Sequence, residues 1–101
     1  MPTVNSTEAI VAFKQGLKSK PDNPRGYFNL ALMYHKSNRH SEAIEALQQA
    51  VKIKPGYVDA HFELGFAFLK VGEETAALSE YILFEELDKE KAAKLFDLIM
   101  K

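Results

Sequence analysis

Three histidines, His35, His40 and His61, are the residues of this chain most able to do chemistry. An imidazole binds metal ions and passes protons near neutral pH. The spacing argues against both uses. His35 and His40 are five apart, which turns them to different helix faces or puts them on separate elements. The carboxylate pairs Glu73-Glu74 and Glu85-Glu86 are adjacent, so on a helix they diverge and cannot flank a substrate bond. There is no cysteine to serve as nucleophile, thiolate ligand or disulfide partner. Neither a glycine-rich phosphate loop nor a serine–histidine–acid motif occurs. The expectation is a protein without catalysis, metal or cofactor.

Composition narrows the class. A chain of 101 residues, 47% hydrophobic and 27% charged, has the make-up of one folded domain and is too apolar for a disordered tail. Net charge is -1, so no bulk basicity points to nucleic acid. The N-terminal stretch MPTVNSTEAIVAFK lacks the basic start and long apolar run of a secretory signal. No stretch approaches the roughly 18 apolar residues of a membrane span. A cytoplasmic location is expected if this is the whole protein; if it is part of a longer one, its address is written elsewhere.

The segment YFNLALMYHK, residues 27–36, carries two apolar stripes where a surface helix needs one. Tyr27, Leu30, Ala31 and Tyr34 make the first; Phe28 and Leu32 make the second. The first stripe belongs to a repeat. Ala9, Ala43 and Ala77 are separated by steps of 34, as are Phe13, Leu47 and Tyr81, and Leu30, Leu64 and Leu98. Tyr27, His61 and Leu95 keep the same step, which makes His61 a core-facing position. Pro21 pairs with Pro55, and Asn38 with Gly72.

Each period divides into two helices. The pattern predicts helices over about 6–20, 24–37, 41–54, 58–71, 74–88 and 90–100. Asn38 and Gly72 enter the left-handed backbone region at low cost, as the position after a helix requires. Pro55 stops a helix, and Pro24 fits a first turn where its missing N–H costs little. Ser41 and Thr7 suit an N-cap or first turn. Asp88-Lys89-Glu90-Lys91 holds no strong breaker, so the last two helices are free to fuse. Turns this short make consecutive helices antiparallel. Ala31 and Gly65 on the first helices, with Ala9, Ala43 and Ala77 on the second, let neighbours approach closely.

This register resembles the tetratricopeptide repeat, whose pattern is an aromatic, Leu-Gly and Tyr on one helix, then Ala, Phe, Ala and Pro on the next. Residues 24–57 carry it as Tyr27, Leu30-Ala31, Tyr34, Ala43, Leu47, Ala50 and Pro55. Residues 58–91 carry it as His61, Leu64-Gly65, Phe68, Ala77, Tyr81, Phe84 and Lys89. Phe84 stands where a small residue is usual and Lys89 where proline is. The expected organisation of 1–101 is one domain: a half repeat at 1–23, full repeats at 24–57 and 58–91, and a capping helix or the start of another repeat at 92–101. The resemblance implies an all-α, right-handed solenoid of antiparallel helix pairs.

It also implies a function. First helices line the concave wall of such a stack, which places Arg25, Phe28, Asn29, Leu32, His35 and Lys36 of one unit on it. Asp59, Phe62, Glu63, Phe66, Leu69 and Lys70 of the next extend it. Phe96, Asp97 and Met100 would continue the row. The second stripe of YFNLALMYHK thus reads as part of a groove for a protein or peptide partner, without nucleic acid or membrane. Alternatives are self-association through the same face or the repeat ends, giving a homodimer or longer scaffold, and extra core packing. One version of the family grips C-terminal carboxylates of chaperone tails with lysines, asparagines and an arginine. Asn29 matches one asparagine position. Phe28, Leu32, Glu63 and Phe66 stand where basic and amide groups are wanted, and Glu63 repels a carboxylate, so that activity is not expected. A related family that reads RNA has a 35-residue period, and this chain keeps 34.

Charge is uneven. Residues 1–72 hold nine Lys/Arg and six Asp/Glu, and residues 73–101 hold four and eight, so +3 faces -4. The acidic end, Glu73, Glu74, Glu80, Glu85, Glu86, Asp88 and Glu90, is expected to be a solvated outer face, with head-to-tail stacking as the sharper reading.

Overall fold

In the computed structural model, which describes residues 6–101, six helices follow one another with short turns. They are α1 (Ser6–Ser19), α2 (Pro24–Lys36), α3 (His40–Ile53), α4 (Val58–Lys70), α5 (Glu74–Glu85) and α6 (Lys89–Met100). No strand occurs among the described residues. The opening residues of the expected half repeat, 1–5, lie outside them.

The turns repeat with the sequence. After α2, Asn38 takes φ 59°; after α4, Gly72 takes φ 81°. In the first turn the Arg39 N–H donates to the Tyr34 carbonyl at 2.8 Å and the Asn38 N–H to that of His35 at 3.0 Å. In the second, the Glu73 N–H donates to the Phe68 carbonyl at 2.8 Å and the Gly72 N–H to that of Leu69 at 3.1 Å. Each donor and acceptor is displaced by 34 residues, which makes this the same helix stop used twice. Pro24 opens α2, and the Asn23 side chain caps it by accepting from the Gly26 N–H at 3.1 Å. Ser41 falls in the first turn of α3, after Arg39 at the N-cap.

Where α5 meets α6 the two helices expected at about 74–88 and 90–100 are both present, and only the end of the first needs correction. The helices do not fuse, and α5 ends at Glu85, short of residue 88. Asp88 turns extended, with φ -157°, and its carboxylate accepts from the Lys91 N–H at 3.1 Å. An aspartate that caps a helix start is a breaker in this setting.

Packing is zigzag: each helix rests on the one before it, and α4 also touches α6. The first helices α2, α4 and α6 therefore form one layer and α1, α3 and α5 the other. Contacts between layers rest on small residues. Ala31, Ala43, Ala50, Ala60, Ala67 and Ala77 are all 0% exposed. Leu30, Tyr34, Leu47 and Leu64 fill the space beside them.

The second repeat solves its core differently. Phe84, at 0% exposure, forms a separate cluster with Ala92 and Leu95 of α6. Its ring lies against that of His61, centroids 6.2 Å apart and nearly parallel. His61 is buried as expected. Glu80 corrects the reading of the acidic end as solvated, since it too is buried, and its Oε1 lies 2.8 Å from His61 Nδ1. His61 Nε2 lies 2.6 Å from the Pro55 carbonyl oxygen, which only accepts, so this nitrogen carries a hydrogen. One proton between Nδ1 and Oε1 then completes the link. The pair ties α4 to α5 and to the preceding turn.

Two substitutions test this core. Glu80→Ala leaves His61 Nδ1 buried without its partner and should cost about 1–3 kcal/mol, while Glu80→Gln keeps a hydrogen-bonding group and should cost less. Chemical denaturation of both variants measures the difference. At Gly65, an added Cβ would sit 2.5 Å from Leu95 Cδ2 and 3.1 Å from Cδ1. Alanine improves helix propensity by about 1 kcal/mol. Overpacking against fully buried Leu95 costs about 1–3 kcal/mol, so Gly65→Ala should lower the melting temperature.

Candidate functional site

The candidate site is the face of α2 and α4 turned away from the second helices. Local rules put it there. On α2, Leu30, Ala31 and Tyr34 are buried, so the helix turns Phe28, Leu32 and His35 to the other side. On α4, Ala60, His61, Leu64, Gly65 and Ala67 are buried, which leaves Asp59, Phe62, Glu63, Phe66 and Lys70 on the corresponding face.

Exposure is graded across this face. Phe28, Asn29, Leu32, His35, Phe62, Glu63, Phe66 and Leu69 are half-buried, while Arg25, Lys36, Asp59 and Lys70 are exposed. A strip of mostly apolar side chains is thus bordered by charge. Its two ends differ. Near the start of α2, Arg25, Phe28, Asn29 and Asp59 join Lys54 and Tyr57 around a recess of about 350 Å³. A second recess, of about 460 Å³, shares Arg25 and Asn29 and is lined by Phe13, Gly16 and Leu17 of α1.

Not every aromatic of the strip opens outward. Phe28 packs on the Tyr57 ring with centroids 5.3 Å apart. Phe62 and Leu69 rest against the Phe84, Ala92 and Leu95 cluster. Lys91 of α6 places its Nζ 6.0 Å from the Phe62 centroid and 2.9 Å from Asp59 Oδ1. That exposed ion pair adds little stability but covers this part of the wall. Phe96, expected to continue the row, lies 5.2 Å from the Tyr81 ring of α5. Of the apolar groups on α2 and α4, Leu32 and Phe66 at the centre lie outside both buried clusters.

Around Phe66 the polar groups converge. The His35 ring meets Phe66 edge-on, centroids 5.9 Å apart, and Lys70 Nζ lies 5.2 Å from the Phe66 centroid. His35 Nε2 is 3.9 Å from Glu63 Oε1 and makes no hydrogen bond. His35 Nδ1 is 2.8 Å from Nδ1 of His40. The five-residue spacing had separated these histidines. They do lie on separate elements, but the tight turn folds the first residue of α3 back onto the last turn of α2. Burial pushes the His35 imidazole down to about 4, helped by His40 and Lys70. Burial, then neighbouring Asp59, raises the Glu63 carboxyl, against Lys91. Among the described residues no group of three or more metal-binding side chains assembles, and no helix is long and apolar enough to cross a membrane.

Comparison with known proteins places this architecture. The family model of the TPR repeat matches residues 5–38 and 32–72. The chain belongs to the TPR repeat family. No curated protein matches the sequence. Among solved structures, it is similar to the first TPR domain of Spaghetti (RPAP3) bound to an HSP90 peptide, SRMEEVD. That likeness has a TM-score of 0.87 and 24% identity, over 94% of this chain and 77% of that one. It is also similar to the second TPR domain of human RPAP3 in complex with the HSP70 peptide SGPTIEEVD, at TM-score 0.87 and 22% identity, over 95% and 82% of the two chains. The TPR2B domain of yeast Sti1, in a complex with Hsp70, gives a TM-score of 0.79 and 26% identity over 93% and 78%.

The His35 environment makes a pH prediction. An imidazole depressed in the fold binds its proton more weakly there than in the unfolded chain. The unfolded state therefore holds more protons between pH 6.5 and about 4, and stability falls as pH drops through that window. In NMR titration, His35 should stay neutral at pH 5. Replacing it with phenylalanine should flatten its part of the stability–pH curve.

Proposed function

We propose that this chain is a non-catalytic interaction module that binds a peptide segment of a partner protein along the inner face of α2 and α4. The observation that carries the reading is the half-buried Leu32 and Phe66 at the centre of a charge-bordered strip. Repeat stacking engages Phe28 through Tyr57 and Phe62 through the α6 cluster; Phe66 meets only the edge of His35 from the preceding unit, and Leu32 and Phe66 lie outside both buried clusters. Apolar side chains left partly open between charged borders suit a ligand that covers them. The similar TPR domains of RPAP3, described with an HSP90 and an HSP70 peptide, support a peptide as the ligand class. Acidic peptides such as these are not the expected cargo. The inner face carries Phe28, Leu32, Glu63 and Phe66 where a carboxylate needs cations.

A second reading is self-association. Leu78, Ile82, Leu83, Leu87, Phe96 and Met100 are large, apolar and exposed, and all lie in the acidic last third of the chain. The outward Ile82-Leu83 of α5 stands where α3 carries Gln48-Gln49, one repeat earlier. Light scattering at low and high salt separates the two readings.

Selection of peptides from a displayed random library on the immobilised chain tests the first. Bound peptides should shift NMR signals of Leu32, His35 and Phe66. Leu32→Ser/Phe66→Ser should keep the helical signal and weaken binding at least tenfold. Shifts confined to α3 and α5 would move the site to the other layer.

A further inference from the structure

Glu63 is the half-buried acid of the inner face, where Arg25, Lys36, Asp59 and Lys70 are exposed. Its side chain is 27% exposed, and the closest basic nitrogen described for it is His35 Nε2 at 3.9 Å. Neighbouring cations are engaged elsewhere: Lys91 with Asp59 at 2.9 Å, Lys70 over the Phe66 ring. Asp59, one helical turn before Glu63 on α4, adds a like charge. Desolvation and this neighbour together disfavour the ionised carboxylate, which is why its titration is raised.

The histidine pair fixes what faces the carboxylate. Between His35 Nδ1 and His40 Nδ1, at 2.8 Å, one ring donates and the other accepts. If neutral His35 donated, its Nε2 would carry a lone pair facing Glu63, acceptor against acceptor. If His40 donates, His35 is protonated at Nε2 and presents N–H to Glu63. Electrostatics selects the second arrangement. A directed row then runs from His40 on α3 through His35 on α2 to Glu63 on α4. It aims the positive end of an N–H dipole at the carboxylate without neutralising it.

We propose that Glu63 is the specificity-determining acceptor of the groove, and that it takes a lysine or arginine side chain of the bound peptide next to an apolar side chain seated on Phe66. The cation supplies what the free protein lacks at Glu63. His35, meeting Phe66 edge-on at 5.9 Å, sets the carboxylate and the aromatic surface side by side. In this arrangement His35 is a positioning residue and His40 fixes its tautomer. The preference is opposite in sign to the acidic peptides SRMEEVD and SGPTIEEVD found on the similar domains.

The inference rests on the peptide-binding reading above, and its test separates the two. Peptides selected on the chain should share a Lys or Arg beside an apolar residue. For one such peptide, replacing the basic residue by norleucine and replacing Glu63 by Gln should each weaken binding at least tenfold, and the double change little further. Binding should also lower the Glu63 carboxyl titration read by carbon NMR. In the free chain, long-range nitrogen–proton spectra should find the His35 hydrogen on Nε2, and His40→Phe should scramble it. Selected peptides that bind the inner face without a basic residue, indifferent to Glu63→Gln, overturn the inference and leave the peptide reading standing. A selection that yields no binder overturns both, and a His35 hydrogen on Nδ1 overturns the positioning role.

Discussion

Close approach between helices too short to stand alone is the constraint on which this structure depends. Each helix has 12 to 14 residues, a length that is marginal in water without a partner. Stability therefore comes from contact between helices, and contact requires small side chains at the crossing points. Ala31, Ala43 and Ala77 occupy such points with no exposed surface. Gly65 occupies another, where even a methyl group would meet Leu95. The helix stops at Asn38 and Gly72 serve the same end, because they bring successive helices back at an equal spacing.

From that constraint the inner face follows. A helix that uses one stripe for its pair and another for the next unit has little surface left. On α2 and α4 the remainder is a narrow row in which Leu32 and Phe66 are flanked by His35 and Glu63. Its chemistry is set by which groups the packing has already used. Tyr57 takes Phe28, the α6 cluster takes Phe62, and Asp59 takes Lys91. The polarity of the centre is what these engagements leave over.

Much of the helix layout was legible in the residues, because it depends on local signals. The prolines, Asn38 and Gly72 act within a few residues of themselves, and the small residues at the crossings show themselves by their 34-residue step. What stayed hidden depends on distance in sequence. Glu80 reads as one more surface acid until α4 brings His61 beside it, nineteen residues away. The one local sign was its register: Glu80 stands where Ala46 stands, in a unit whose Tyr27 position has become His61. His35 and His40 look separated by helical geometry because the count of five ignores the turn between them. Asp88 looks like part of a charged helix because a cap is defined by the backbone it ends, and that backbone turns only where Phe84 is anchored.

Phe84, His61 and Glu80 have a consequence for how such a chain can change. In the first unit a large Tyr27 is set with small Ala46 and Ala50; in the second a smaller His61 is set with larger Glu80 and Phe84. In the second unit both contacts of the His61 ring cross from α4 to α5, to Glu80 and to Phe84. The two units are therefore not interchangeable parts, and grafting one helix of the second onto its counterpart in the first would carry half of a bargain. Divergence here must travel in linked triplets, and a shuffled array would inherit its joints only if whole pairs moved together.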